Sequence, residues 1–270
     1  MFAMRKLPAR TARARRKVAR LRIVFAAVSV WAGMGNLPAH ADYPVAPDVV
    51  VFCEPTLRAV ITNLGAQWRK ETGIPVRIFT APTWANVAQL AHHTRDDVII
   101  GEGDAAAASA TAQHLIRGDT VVRLWRNHLV VAAPADERAS LDLASVAGSA
   151  PVAIVDPRVA EAGLQTEAAL KRLGLWDSVK GKSISVVDTA DAAFLLAEGT
   201  VKLAVLYATD VIARPDLAVA STLPADAQPI VYWAAQTEHA LSPNTAKFLD
   251  FLRRVDIRAQ GRDAGLEVLP

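Results

Sequence analysis

Apolar runs of strand length alternate with amphipathic helical stretches from residue 48 onward, and that alternation restricts the chain to an α/β architecture. Val49–Cys53 is apolar from end to end. Thr56 then opens a helix with Leu57, Val60, Ile61, Leu64 and Trp68 on one stripe, and Gly73 stands where a helix of that length should stop. Residues 76–79 predict a strand, 85–93 a helix, 98–100 a strand and 104–115 an Ala-rich helix. Further on, Val152–Val155, 184–187 and 203–206 predict strands, with helices over 164–173 and 190–198 between them. Strands apolar on both faces predict parallel sheets covered by helices. No internal repeat or low-complexity linker interrupts the pattern.

The first 41 residues are of another kind. Nine Lys and Arg and no acid fall within residues 1–22, an uncharged apolar run follows over 23–34, and Leu37-Pro38-Ala39-His40-Ala41 ends the segment with small residues. That order predicts a secretory signal peptide over 1–41, cut between Ala41 and Asp42. The apolar run is too short to span a membrane. Arg15-Arg16 resembles a twin-arginine signal only weakly, so the export route stays open between two systems. Removing the leader takes nine of the 30 Lys and Arg and none of the 27 acids, which leaves a formal charge of −6. The basic character therefore belongs to the leader, and a nucleic-acid partner loses its electrostatic basis.

Cys53 is the sole cysteine, so the exported chain has no internal disulfide and depends on its own core. Asp42, not a cysteine, follows the expected cut, which excludes a lipoprotein anchor there. A periplasmic location is the simplest expectation. The chain lacks a Gly-x-Ser-x-Gly elbow, a Walker loop, a Gly-x-Gly-x-x-Gly turn and a His-Glu-x-x-His pair, and no enzyme activity is expected. His92-His93 has no further Cys or His at ligand spacing and reads as a solvated pair. Asp96-Asp97 flanks the start of a strand, and Cys53 at a strand end reads as a small core residue.

Hydroxyl residues at strand-to-helix junctions are the informative positions. Thr56 follows the strand Val49–Cys53, Thr83 follows residues 76–79, Thr189 follows 184–187, and Tyr207 ends 203–206. Ala162-Gly163 lies between the strand Val152–Val155 and the next helix. In open α/β sheets ligands sit at the carboxyl ends of strands, where helix N-termini turn free N–H groups outward and attract anions. Taken singly, each Thr is an ordinary N-cap; five such junctions point to a shared site.

Three stretches carry a family resemblance: Ala162-Gly163-Leu164-Gln165-Thr166-Glu167-Ala168-Ala169-Leu170 with Leu173-Gly174-Leu175-Trp176-Asp177 behind it, Asn127-His128-Leu129-Val130-Val131-Ala132-Ala133-Pro134, and Leu203-Ala204-Val205-Leu206-Tyr207-Ala208-Thr209-Asp210. With them the chain resembles the periplasmic molybdate-binding proteins of ABC importers, within the type II periplasmic binding proteins. The resemblance implies two α/β lobes with two hinge crossovers. One lobe would hold residues 48–124 and 233–270, the other 127–230, with crossovers near 124–127 and 230–233. It also implies a monomer that captures a tetrahedral oxyanion, most simply molybdate or tungstate, and delivers it to a membrane permease. The anion-binding residues it implies are Thr56, Thr83, Ala162, Thr189 and Tyr207. No cofactor and no protein–metal bond is implied, molybdenum entering only as the bound oxyanion. The chain departs from the family at Cys53-Glu54-Pro55 and Ala81-Pro82, where small or Ser-rich sequence is usual. A carboxylate at Glu54 would repel a dianion unless it turned to solvent, and Pro82 removes a backbone donor. Another small anion, a ligand carrying positive charge, or a sensor or accessory role for a periplasmic enzyme are the alternatives these departures leave.

Overall fold

The computed structural model describes residues 47–92, 95–137, 143–223 and 230–269. The expected leader and His93 lie outside the described residues. Two sheets organise the rest. The first holds β1 (Val49–Cys53), β2 (Val76–Thr80), β3 (Val98–Glu102), β4 (Val122–Asn127), β10 (Ile230–Gln236) and β11 (Glu267–Val268), in the order β11-β4-β10-β3-β1-β2. The second holds β5 (Leu129–Pro134), β6 (Val152–Val155), β7 (Ile184–Val186), β8 (Leu203–Tyr207) and β9 (Leu217–Thr222), in the order β7-β6-β8-β5-β9. On the first sheet lie α1 (Arg58–Thr72), α2 (Thr83–Leu90) and α3 (Asp104–Ala112). Then come α4 (Leu143–Val146), α5 (Glu161–Arg172), α6 (Trp176–Lys180), α7 (Thr189–Ala197) and α8 (Ala208–Ile212), followed by α9 (Thr245–Arg253) and α10 (Val255–Ala259) near the C-terminus.

The stripe expected on α1 is the buried one: Val60, Ile61, Leu64 and Trp68 all face the core. Trp68 meets Phe248 and Phe251 of α9 edge-on, each at 5.4 Å between ring centroids, so α9 packs against α1 on the first sheet. Gly73 ends α1 at φ 75° and returns its N–H to the Arg69 carbonyl, a left-handed stop that glycine adopts without strain.

The prediction of parallel sheets needs correction. β1 lies parallel to β2 and β3, and β6 parallel to β7 and β8, as expected. However, β10 runs antiparallel between β3 and β4, and β5 antiparallel between β8 and β9. The reason is connectivity. A parallel neighbour needs a helical crossover on the same sheet. Here β4 leads straight into β5 of the other sheet through His128, and among the described residues no helix stands between β9 of that sheet and β10. Hydrophobic periodicity reads burial and not direction, so the expected alternation carried no sign of these strands' polarity.

Candidate ligand-binding cleft

Between the carboxyl ends of strands from both sheets lies a cavity of about 120 Å³. From the first sheet it is lined by Glu54, Pro55 and Thr56 after β1, by Pro82 after β2, and by Glu102 at the end of β3. From the second it is lined by Ala160 and Ala162 at the start of α5, by Asp188 and Thr189 at the start of α7, and by Tyr207 and Asp210 after β8. The first N–H groups of a helix lack intrahelical acceptors and carry partial positive charge. Glycine at 163 lets α5 begin where it does, because a Cβ there would lie 2.6 Å from the backbone carbonyl of Asp156.

Of the five residues singled out by sequence, Thr56, Ala162, Thr189 and Tyr207 line the cavity, whereas Thr83 lies just behind it. Their hydroxyls are already engaged. The Thr83 N–H and Oγ1 both donate to Glu54 Oε2, at 2.7 and 2.6 Å. The Tyr207 hydroxyl donates to Glu102 Oε2 at 2.6 Å. The Thr189 side chain hydrogen-bonds the Asp210 carboxyl, and Thr56 Oγ1 lies 3.1 Å from the Tyr232 hydroxyl. Three of the four hydroxyls thus meet a carboxyl group of the chain itself.

Glu54 does not turn to solvent; it is 6% exposed. Its place has a local cause. The residue before α2 is Pro82, which caps nothing with its side chain, and the Glu54 carboxylate supplies the missing acceptor at the start of that helix. Asp188 and Asp210 do similar work, accepting from the Asp191 and Tyr207 N–H groups. Glu102 follows Gly101 at the end of β3, and among the described residues its carboxyl meets only the Tyr207 phenol. Four carboxyl groups therefore line the cavity, without a Lys, Arg or His among the described residues that line it.

Burial dominates the titration of these groups. Desolvation pushes Glu54 up to about 7 against the pull of its Thr83 bonds. It also raises Glu102 well above the usual carboxylate range, with the nearby Glu54 charge adding to the shift. Asp210 is pushed up to about 6, again chiefly by desolvation. Burial raises the Cys53 thiol to about 12, so this fully buried side chain is a core residue and not a nucleophile. Among the described residues no three His, Cys, Asp or Glu gather closely enough to hold a metal ion.

One polar residue, Asn127, joins the two sheets, and Tyr232 braces it from within the first. Asn127, the last residue of β4, donates through Nδ2 to Thr209 Oγ1 of α8 at 3.0 Å and to the Tyr232 hydroxyl at 3.2 Å. Sequence reasoning assigned no role to Asn127 or Tyr232, nor to Glu102, Asp188 and Asp210. The available signal was positional: Glu102, Asp188 and Asp210 each stand within three residues of a strand's carboxyl end.

This arrangement is a two-lobed α/β fold with a candidate ligand site at facing strand ends. The model of one family, the bacterial extracellular solute-binding proteins, matches residues 49–267, and the chain belongs to that family. It is 25% identical over 216 residues to the molybdate-binding protein ModA of Escherichia coli (strain K12), a match covering 76% of this chain and 83% of the relative. The corresponding Haemophilus influenzae protein is 22% identical over 219 residues, covering 78% and 86%. Among solved structures, the periplasmic molybdate-binding protein of Azotobacter vinelandii aligns with a TM-score of 0.71 at 20% identity, over 82% of this chain and 99% of that one. These relatives are binding proteins.

Proposed function

We propose that this protein is the periplasmic solute-capturing component of an ABC importer, and that it takes a tetrahedral oxyanion, molybdate or tungstate before others, in the cleft between its lobes. The carrying observation is the cavity itself. Its volume of about 120 Å³ is several times the roughly 10–15 Å³ that one water needs on the same kind of measure, which leaves room for a small ion of several heavy atoms. The N-termini of α5 and α7 border it, a setting that favours negative charge. Closure of the lobes about crossovers at the Asn127 and Ile230 ends of β4 and β10 would bury the ion and present an altered surface to the permease. The same reading has residues 1–41 removed on export and the mature chain working as a monomer.

The four carboxyl groups favour a second reading, in which the cleft holds a small ligand that brings hydrogen-bond donors or positive charge. Calorimetric titration with molybdate, tungstate, sulfate and phosphate separates the two. Molybdate and tungstate should bind alike and raise the melting temperature, with sulfate and phosphate weaker. Absence of binding by all four at millimolar concentration would leave the second reading.

A further inference from the structure

We propose that the cleft takes its oxyanion together with a proton, so that what it captures is an anion–proton pair and not a bare dianion. This rests on the oxyanion reading above. The geometry carries it. Glu54 and Glu102 both line the cavity, each with one oxygen engaged, Oε2 of Glu54 by Thr83 and Oε2 of Glu102 by Tyr207. The Oε1 atom of each has no hydrogen-bond partner among the described residues. An ionised carboxylate only accepts hydrogen bonds, whereas a protonated one also donates. A fully ionised oxyanion beside an ionised Glu54 or Glu102 would set acceptor against acceptor; one proton between them turns that contact into a charge-assisted hydrogen bond.

Apart from the helix N-termini, the described residues lining the cavity offer no positive charge as compensation. Facing Glu102 are Glu54 from β1, Glu161 from α5, Asp210 from α8, the Tyr207 phenol, and Tyr232 from β10. Facing Glu54 are Thr83 from α2 and Asp188 before α7. Arg58 lies near Cys53, but its guanidinium turns to Thr80 Oγ1 at 3.4 Å and is not among the lining residues. The negative charge of an arriving ion is thus most readily met by protons taken from solvent onto carboxyl groups already raised by burial. A carboxylic acid kept neutral by a desolvated site is an established hydrogen-bond donor to developing oxyanions.

The test is calorimetric titration of the protein with sodium molybdate, which stays a dianion in water over this range, from pH 6 to pH 9 in pairs of buffers with different ionisation enthalpies. Uptake close to one proton per anion is expected at pH 8. With Glu54 titrating near 7, affinity should fall about tenfold from pH 6 to pH 8 and about tenfold again by pH 9. Glu54→Gln supplies a permanent donor and should flatten this profile, raising affinity at pH 8 about tenfold. Glu102→Gln is the second variant should the first fail to fold, and it too should reduce proton uptake. Molybdate binding with no proton exchange and constant affinity would overturn the proposal while leaving the oxyanion reading intact. Affinity that rises with pH would overturn it equally. Failure of molybdate to bind wild type and both variants at every pH would overturn the oxyanion reading and this inference with it.

Discussion

At the amino end of β3, Asp97 is fully buried, and at the carboxyl end of the same strand Glu102 is 2% exposed. Asp97 Oδ2 accepts from the Val50 N–H at 2.8 Å, and Oδ1 accepts from the N–H groups of Leu241 and Ser242 at 2.8 and 2.7 Å. This carboxylate ties β1 and the segment before α9 to β3, and both of its oxygens are used. Glu102 has a phenol on one oxygen and a cavity before the other. Equal burial therefore has opposite meanings at the two ends. Where backbone N–H groups surround a carboxylate, it is part of the framework. Where they do not, the second oxygen is left facing the cavity.

The largest effect expected from this contrast is at the framework end. Asp97→Ala leaves two buried N–H groups and one half-buried one without an acceptor and should lower stability by about 3–5 kcal/mol in denaturant unfolding. Glu102→Gln keeps an acceptor for Tyr207 and should change stability far less. A loss below about 1 kcal/mol for Asp97→Ala would break the distinction between the two ends.

A smaller effect concerns the pH dependence of the ligand-free protein. Glu54 titrates near 7 in the folded state, above its ordinary 4.5. Below about pH 4.5 it is protonated in both states and carries no penalty. As pH rises from there to 7 the unfolded chain releases the proton first, so folded stability declines by roughly 3 kcal/mol and then levels off. Asp48, held low by Arg95 and Arg77 despite partial desolvation, acts in the opposite sense and loses its contribution in acid. The difference between wild type and Glu54→Gln cancels that background. Unfolding curves at pH 4.5, 6 and 8 should show the variant gaining on wild type as pH rises, and parallel profiles would place Glu54 with Asp97 as framework.

Smallest is Tyr207→Phe. It keeps the ring and removes the one donor found on Glu102 Oε2, which should lower stability by about 1–2 kcal/mol and weaken molybdate binding by roughly tenfold. Melting curves beside titrations check both. Unchanged affinity with lowered stability would make the Tyr207–Glu102 pair a strut between the sheets and sharpen the contrast in the other direction.

Much of the fold was legible in the chain. β1 and β6 have the bounds their apolar runs predict, and α1 buries the stripe its spacing marks, because strand and helix periodicities are local properties of neighbouring residues. Helix 85–93 was misplaced by a few residues, beginning instead at Thr83 and ending at Leu90, since Glu54 rather than a neighbouring residue supplies the acceptor at its start. β10 went unread because its direction is set by a return from the other sheet. At the cleft, the junction hydroxyls were visible one by one. Their partners were not, because Thr83 with Glu54 and Tyr207 with Glu102 meet across long stretches of chain.

By itself the sequence determined the alternation of strands and helices, and with it the junctions at which a ligand site can form, because both follow from the burial pattern of adjacent residues. Only the tertiary structure decided that Glu54, Glu102, Asp188 and Asp210 share one cavity with no cation among the described residues that line it. Desolvation and charge proximity arise between residues brought together by two facing sheets, and no local pattern in the chain encodes them.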